Sequence, residues 1–227
     1  MLQQIGTGIW MTAGREVSVA GFRYPTRMAV IQLESGAVFI WSPVALTPEL
    51  KNAVDRIGPV THIAAPNHLH HLWIKDWQTA YPFAILHAAP RLQKKRRDLE
   101  VHKELNETPD SAWAEEIDQA LMKGNLITTE VVFFHKPSGT VLFTDLIQSF
   151  PKGWFHGWRG IVADLDRLTA NSPTVPRKFR MAFVNRSAAR HGLRKIKAWP
   201  TQNLLMAHGP LVARDAKSAV SRAFSWL

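Results

Sequence analysis

The feature that most constrains the fold of this chain is an alternation of short apolar runs with helical patterns. Two of these apolar runs end in proline. Residues 60–66 (VTHIAAP) and 83–90 (FAILHAAP) are typical of buried strands, because each is a brief run of mainly apolar residues ended by proline. Between them, apolar residues at helical spacing predict a helix that begins at Asn67 or His68. A strand–helix–strand succession of this kind predicts a layered α/β fold with a mixed or parallel sheet.

Two hairpins and further helices extend this framework. Residues 27–42 and residues 128–147 each predict a hairpin, since runs rich in Val, Ile and Phe flank a turn that contains glycine. Thr47 favours the start of a helix that Gly58 ends. The remaining predicted elements are helices over 91–125 (clearest over 111–124), 184–199 and 213–226, an irregular stretch over 149–176 and a buried strand over 203–209.

The composition narrows the chemistry. The chain of 227 residues has no cysteine, which excludes disulfides, thiolate metal sites and a cysteine nucleophile, and leaves His, Asp and Glu as metal ligands. The sequence shows no basic and apolar leader and no run of about 18 apolar residues, so we expect a cytoplasmic protein without a membrane partner. A net charge of +10 would attract anionic substrates or nucleic acid, although the basic residues are dispersed. We expect one domain over residues 1–227.

Polar residues that suit a metal follow three of the apolar runs. His68, His70 and His71 follow the first of the strands above. Asp145 follows the run TVLFT, and His208 follows NLLMA. Loops at strand ends gather ligands in open α/β sheets. Imidazoles and a carboxylate suit zinc, which lowers the pKa of its bound water toward about 7 and makes hydroxide available for hydrolysis.

The order of these pieces is similar to that of a known superfamily. The motifs PNHLHHL, EVVFFHKPSGTVLFTDLI and LLMAHG, with a hairpin ahead of them, resemble the metallo-β-lactamase-like superfamily and, within it, a degenerate branch of unknown function. The resemblance covers nearly the whole chain and is weakest over residues 149–200. It implies an α/β (α+β) fold in the form of a four-layer αββα sandwich, in which helices flank two mixed sheets and the site lies at one edge of both.

The metal motif of that superfamily, His-x-His-x-Asp-His, matches this chain in part. With its last His aligned on His71, its second His falls on His68. Its first His position holds Pro66, which cannot bind a metal, and its Asp position holds His70. The resemblance implies one or two ions, with zinc as the default and iron or manganese as alternatives. The ligand set that it implies, including the superfamily's bridging Asp and final His, is His68, His70, His71, Asp145 and His208.

The superfamily has one more metal ligand, a His that precedes the strand leading to the bridging Asp. The geometry of the second hairpin shows whether His135 can correspond to this His. His135 lies at the turn, about five residues or roughly 16 Å of strand away from Asp145 at about 3.3 Å per residue. We therefore expect His135 to be structural. Thr129 or Glu130 should lie across from Asp145, so Glu130 is a candidate oxygen ligand or base. Asp145 and Glu130 are the candidate catalytic residues.

The leading interpretation is a metal-dependent hydrolase in which a metal-bound hydroxide attacks an ester, lactone, amide or phosphodiester. Arg177, Lys178 and Arg180 are candidate contacts for an anionic substrate group by charge, and Trp154 is another candidate because loop aromatics often line pockets. Two alternative functions stay open. One is a non-catalytic binding or scaffolding protein on the same fold, with a decayed metal site that holds one ion weakly or none. The other is a nucleic-acid-processing member of the fold. A homodimer through the apolar C-terminal helix is also open.

Overall fold

Two β-sheets lie face to face, with helices on their outer sides, in the computed structural model, which describes residues 1–227. The strands are β1 (Gln3–Gly6), β2 (Ile9–Ala13), β3 (Val17–Val19), β4 (Phe22–Tyr24), β5 (Arg27–Gln32), β6 (Val38–Trp41), β7 (Val60–Ala65), β8 (Ile85–Ala88), β9 (Lys103–Glu104), β10 (Ile117–Met122), β11 (Glu130–His135), β12 (Thr140–Phe143) and β13 (Asn203–Met206). The helices are α1 (Pro48–Asp55), α2 (Ile74–Ala80), α3 (Leu92–Lys95), α4 (Trp158–Leu165), α5 (Arg177–Ala182), α6 (Arg186–Ala198) and α7 (Ala216–Ala223).

Both large sheets are mixed. The first has seven strands in the order β1-β2-β5-β6-β7-β8-β9, and the second has four in the order β10-β11-β12-β13. Each combines antiparallel pairs with parallel pairs, such as β6 with β7 and β12 with β13. Strands β3 and β4 form a separate two-stranded hairpin. None of the helices is long and apolar enough to cross a membrane.

Apolar side chains hold the four layers together. Phe39 and Trp41 of β6 belong with Phe133 of β11 to the core between the sheets. Trp77 of α2 packs in the cluster on the outer face of the first sheet, and Leu193 of α6 packs in the cluster on the outer face of the second. The predicted αββα sandwich is therefore confirmed. The core shared by both sheets supports the proposal that residues 1–227 form one domain.

Local signals in the sequence explain several of these elements. Strands β5 and β6 form the first predicted hairpin, and Gly36 in its turn has a left-handed φ of 82°, which glycine adopts without strain. Helix α1 begins after Thr47, whose hydroxyl accepts a hydrogen bond from the amide of Leu50. Strands β11 and β12 form the second predicted hairpin. His135 ends β11 with its Nδ1 2.8 Å from the hydroxyl of Ser138 in the turn, as expected for a structural histidine.

The helix predicted over residues 111–124 is wrong. This segment is a turn followed by β10, every residue of which pairs with β11. Its Ala, Leu, Met and Gln favour helix in isolation, but burial on both faces of the sheet overrides that propensity. The rest of the segment predicted as helix, residues 91–110, contains only the single turn of α3 and the short β9. The stretch predicted as irregular, 149–176, contains α4.

The predicted start of the second helix is also wrong. Helix α2 begins at Ile74, and the histidine stretch before it is a series of turns. The side-chain oxygen of Asn67 accepts hydrogen bonds from the amides of Leu69 and His70, at 2.8 and 3.0 Å. These two bonds, donated by backbone amides to an Asn side chain, hold the chain after β7 in a turn. The histidines therefore lie on a loop at the end of β7.

Candidate metal centre

The loops after β7, β12 and β13 bring three of the predicted ligands together. His70 follows β7, Asp145 follows β12 and His208 follows β13, and one ligand atom from each lies within 4.8 Å of the others. His70 Nε2 lies 3.3 Å from Asp145 Oδ2, and His208 Nε2 lies 3.4 Å from Asp145 Oδ1. Ligand atoms around a four-coordinate zinc, with bonds of about 2.0–2.1 Å, stand about 3.3 Å apart. The spacing of the three side chains fits such an ion.

Hydrogen bonds at Nδ1 direct the Nε2 atoms of both imidazoles toward Asp145. His208 Nδ1 lies 2.6 Å from the carbonyl oxygen of Pro25, and a carbonyl can only accept, so Nδ1 carries the proton. The neutral ring then presents a lone pair at Nε2 to the lone pairs of Asp145. Facing lone pairs repel, and either a cation between them or a second proton on the ring removes the repulsion. His70 Nδ1 lies 2.8 Å from the hydroxyl of Ser42, which can donate or accept, and this contact orients the His70 ring with its Nε2 toward Asp145.

Asn67 holds the carboxylate of Asp145 in place. Its buried Nδ2 donates to Asp145 Oδ2 at 2.6 Å and to Thr144 Oγ1 at 2.9 Å. Burial is the largest single influence on Asp145 and raises its pKa. When the imidazoles of His70 and His208 are protonated, the charge of His70 and the hydrogen bonds from both rings together outweigh burial, and they hold the pKa of Asp145 well below its usual range. Asp145 is therefore ionised at neutral pH, as a metal ligand must be.

Glu130 lies beneath the loop that carries Asp145. Its Oε1 accepts a hydrogen bond from the amide of Thr144 at 2.7 Å, and its Oε2 accepts from the amides of Asp145 and Leu146 at 2.8 and 3.0 Å. Burial, and then the negative charge of Asp145, raise the pKa of Glu130 to about 7, while the backbone donors oppose this shift. Both oxygens are occupied by backbone amides. Glu130 therefore shapes the Asp145 loop and does not line the cavity described below.

The other two predicted histidines lie outside the three-residue cluster. His71 Nδ1 accepts a hydrogen bond from Arg96 Nη1 at 2.9 Å. Burial, and then the charges of Lys95 and Arg96, lower the pKa of His71 to about 4. With Nδ1 occupied, the neutral ring carries its proton on Nε2 and has no free lone pair for a metal. His68 lies beside Thr128, with 3.4 Å between Nδ1 and the hydroxyl. Of the histidine triplet, only the middle one faces Asp145.

A cavity of about 490 Å³ lies over the cluster. Two ammonium groups, those of Lys95 and Lys178, belong to its wall. Lys178 Nζ donates to the hydroxyl of Tyr24 at 3.1 Å. Burial favours the neutral amine of Lys178, but Tyr24, Asp166 and Asp145 outweigh burial and raise its pKa. The apolar part of the wall includes Val17, Val19, Leu69, Leu72, Ile127 and Phe179.

Three of the four residues predicted to contact substrate, Arg177, Arg180 and Trp154, do not line this cavity. Trp154 Nε1 donates to a backbone carbonyl of β4 at 3.0 Å. Arg180 donates to the carbonyl of Val175, and Arg177 is exposed at the start of α5. Lys178, the fourth predicted contact, is the basic residue of α5 that lines the cavity.

Two residues that organise the site, Asn67 and Ser42, were not predicted from the sequence. Asn67 directly follows β7, and an Asn at a strand end is a recognised turn former, so a signal for it was present. Ser42 follows β6 and has a left-handed φ of 53°, a strained conformation that clusters at functional sites. Its partner His70 is 28 residues away along the chain. No local pattern marks that pairing.

Comparison with known proteins identifies the family. Residues 8–171 match the model of a domain of unknown function, DUF4336. The chain belongs to this family. No curated protein matches the sequence.

Solved structures share the fold at low sequence identity. The metallo-β-lactamase DIM-1 has a TM-score of 0.65 and 12% identity over 98% of this chain and 95% of its own. The mono-zinc form of the metallo-β-lactamase FIM-1 from Pseudomonas aeruginosa has a TM-score of 0.66 and 11% identity over 98% of this chain and 93% of its own. The Flv1 flavodiiron core from Synechocystis has a TM-score of 0.67 and 14% identity over 100% of this chain and 60% of its own. The predicted resemblance to the metallo-β-lactamase-like superfamily is confirmed at the level of the fold.

Proposed function

We propose that the protein is a metal-dependent hydrolase whose ion is held by His70, Asp145 and His208. One observation carries this proposal: His208 Nε2 faces Asp145 Oδ1 at 3.4 Å while its Nδ1 is bonded to the carbonyl of Pro25. A divalent cation satisfies both facing atoms at once. Imidazole and carboxylate ligands suit zinc, with iron and manganese as alternatives. The mono-zinc form of FIM-1, a structure of the same fold, supports a site for one ion.

Three protein ligands suit catalysis better than a purely structural role. Catalytic zinc sites have three protein ligands and an open position, whereas structural sites have four ligands. An ion held by these residues would lower the pKa of a bound water toward about 7 and would so supply hydroxide at neutral pH. The cavity over His70, Asp145 and His208 gives a substrate room to approach that position.

Groups of the protein itself would bind and orient the substrate. Lys95 and Lys178 present ammonium groups to the cavity, which suit a substrate that carries an anionic group. The Nε2–H of His71 is a neutral donor in the same wall, because Arg96 occupies Nδ1. Such a donor suits the carbonyl or phosphoryl oxygen of an ester, lactone, amide or phosphodiester. The apolar part of the wall would hold an uncharged portion of the same molecule.

The metal content of the purified protein tests the ligand assignment. We expect about one equivalent in the wild type, measured by elemental mass spectrometry, and less than about a tenth of an equivalent in the Asp145→Ala and His208→Ala variants. His71→Ala is the matched control, and it should retain the metal because Arg96 occupies its Nδ1. Hydrolysis of chromogenic esters, lactones and phosphodiesters should be lost in parallel with the metal.

A wild-type protein that is folded yet does not take up added zinc, iron or manganese would overturn the proposal. The binding-protein alternative on the same fold would then be favoured. Loss of metal from His71→Ala as complete as from Asp145→Ala would instead overturn the assignment of the three ligands.

A further inference from the structure

Helix α4 presents its apolar side chains to solvent instead of to the core. Trp158, Ile161, Val162 and Leu165 are 57, 65, 42 and 60% exposed. At about 100° per residue these four side chains fall within roughly 100° of arc, so they form one continuous stripe, the α4 face. Ala163, on another side of the helix, is its buried residue. An amphipathic surface helix normally turns such a stripe inward, and its outward orientation indicates a binding surface.

The α4 face continues onto the β3–β4 hairpin and from there to the cavity. The ring of Phe22 in β4 packs edge-on against Trp158, with 5.7 Å between centroids. Val19, at the end of β3, is exposed and also belongs to the cavity wall. Leu72 is a second residue that is both exposed and part of that wall. The apolar surface therefore extends from α4 to the rim of the candidate metal centre.

Unpaired basic residues border the α4 face. Lys152 and Arg159 belong to the same segment, and Arg167 and Arg177 lie beyond the C-terminal end of α4. None of these four has a carboxylate within 4.0 Å. The backbone amide of Arg177 donates to the carbonyl of Asp166 at 2.9 Å, and Asp166 directly follows α4, so Arg177 lies beside the C-terminal end of that helix.

The acidic residues of the same segment are engaged within the protein. Asp164 accepts a hydrogen bond from the hydroxyl of Thr169. Asp166 accepts a hydrogen bond from the amide of Lys178 at 2.7 Å and lies 3.7 Å from its ammonium group. Asp166 is thus paired with Lys178, and the four basic residues outnumber the remaining carboxylate, that of Asp164, so the surface around the α4 face is positively charged.

We propose that the α4 face docks on a membrane surface that contains anionic lipids. Trp and large aliphatic side chains flanked by Arg and Lys suit the boundary between lipid headgroups and acyl chains. The unpaired arginines would bind lipid phosphates, and the cavity rim would then lie close to the bilayer. A second copy of this chain is a weaker occupant, because each copy carries a net charge of +10. Such peripheral docking needs no membrane-spanning helix, and it departs from the expectation of no membrane partner drawn from the lack of a long apolar run.

Flotation of the full-length protein with lipid vesicles tests this proposal. We expect binding to phosphatidylcholine vesicles that contain about a third phosphatidylglycerol, and little binding to phosphatidylcholine alone. The double variant I161E/L165E should bind the anionic vesicles more than about tenfold less tightly, because it places charge in the apolar stripe. R167E/R177E should also weaken binding, and about 0.5 M salt should weaken binding of the wild type.

Matched controls separate the α4 face from general effects of charge and apolarity. Phe83→Glu is the control for I161E/L165E, because it places a charge on another highly exposed apolar residue outside the α4 face. K94E/K217E is the control for R167E/R177E, because it makes the same change in net charge elsewhere on the surface. Both controls should bind anionic vesicles as the wild type does, and circular dichroism checks that every variant is folded.

Equal binding by I161E/L165E and the wild type would overturn the proposal, and so would no binding of the wild type to anionic vesicles. A wild-type dimer in sedimentation analysis that I161E/L165E dissociates, without vesicle binding, would overturn it in favour of a second copy. Each of these outcomes is independent of the metal content of the protein.

Discussion

Replacing Glu130 with alanine should lower the free energy of unfolding by about 3–5 kcal/mol and weaken metal binding. The Glu130 carboxylate accepts hydrogen bonds from three buried amides, those of Thr144, Asp145 and Leu146. Alanine leaves all three without a partner, at a cost of about 1–3 kcal/mol for each unsatisfied buried group. It also frees the loop that directs Asp145 toward the two imidazoles. Guanidinium-induced unfolding followed by circular dichroism measures the first effect, and elemental analysis of the folded protein measures the second.

Two further variants make the Glu130 experiment specific. Glu115→Ala removes an exposed carboxylate and should change the free energy of unfolding by less than about 0.5 kcal/mol. Glu130→Gln retains the side-chain volume and one acceptor but turns an NH₂ group toward backbone donors, so its stability should be intermediate. A Glu130→Ala protein as stable as the wild type, or one that is destabilised but binds metal unchanged, would contradict the role assigned to Glu130.

The position of Glu130 could be predicted from the sequence because hairpin register is simple arithmetic. A tight turn pairs residues whose numbers have a constant sum, and Phe133 pairs with Leu142 as His135 pairs with Thr140. Continuing this register places Glu130 opposite Asp145. The arithmetic places a residue across a strand, but it does not say which atoms the side chain contacts. Glu130 was therefore predicted as a ligand or base, whereas it bonds the backbone of the loop.

The three strand-end positions were predictable, but which of the three histidines faces Asp145 was not. Asp145 and His208 follow apolar runs that are strands in any layered fold, so their positions depend only on local patterns. The orientation of His70 depends instead on Asn67, which bonds its amide and also contacts Asp145, 78 residues away. The orientation of His71 depends on Arg96, which comes from the segment that follows β8 and bonds His71 Nδ1. These contacts form only in the folded chain.

The wrong helix over residues 111–124 has a related physical reason. The residues Ile117–Met122 include good helix formers, and the segment is flanked by charged residues that suit a helix surface. Strand β10 forms because β11 offers an antiparallel partner for each of its residues and because most side chains of β10 become buried. Partners of this kind come from elsewhere in the chain, so a local pattern cannot reveal them.

Acid should destabilise the protein through histidines that lie far from the candidate metal centre. Burial, and then the neighbouring His62, lower the pKa of His87 to about 3, and burial lowers the pKa of His135 to about 4. His135 Nε2 is buried without a hydrogen-bond partner, so a proton there would have no acceptor. Because both pKa values lie below the value of about 6.5 for an unfolded chain, the neutral rings stabilise the folded state fully above that pH. This contribution to the free energy of unfolding falls as the pH drops below about 6.5. It is lost completely once the pH reaches the pKa that each histidine has in the folded state.

Lowering the pH from 6.5 to 4.5 should lower the free energy of unfolding by about 3–5 kcal/mol through His87 and His135, because in this range they bind protons mainly in the unfolded chain. His135→Gln should reduce the dependence of that free energy on pH by about 1 kcal/mol per pH unit in the lower half of this range. Urea-induced unfolding at a series of pH values, with a chelator present so that metal release contributes nothing, measures both slopes. His156→Gln is the matched control, because His156 is exposed and the variant should have the slope of the wild type. Equal slopes for His135→Gln and the wild type would show that His135 is protonated in the folded protein, and its buried Nε2 would then need an acceptor.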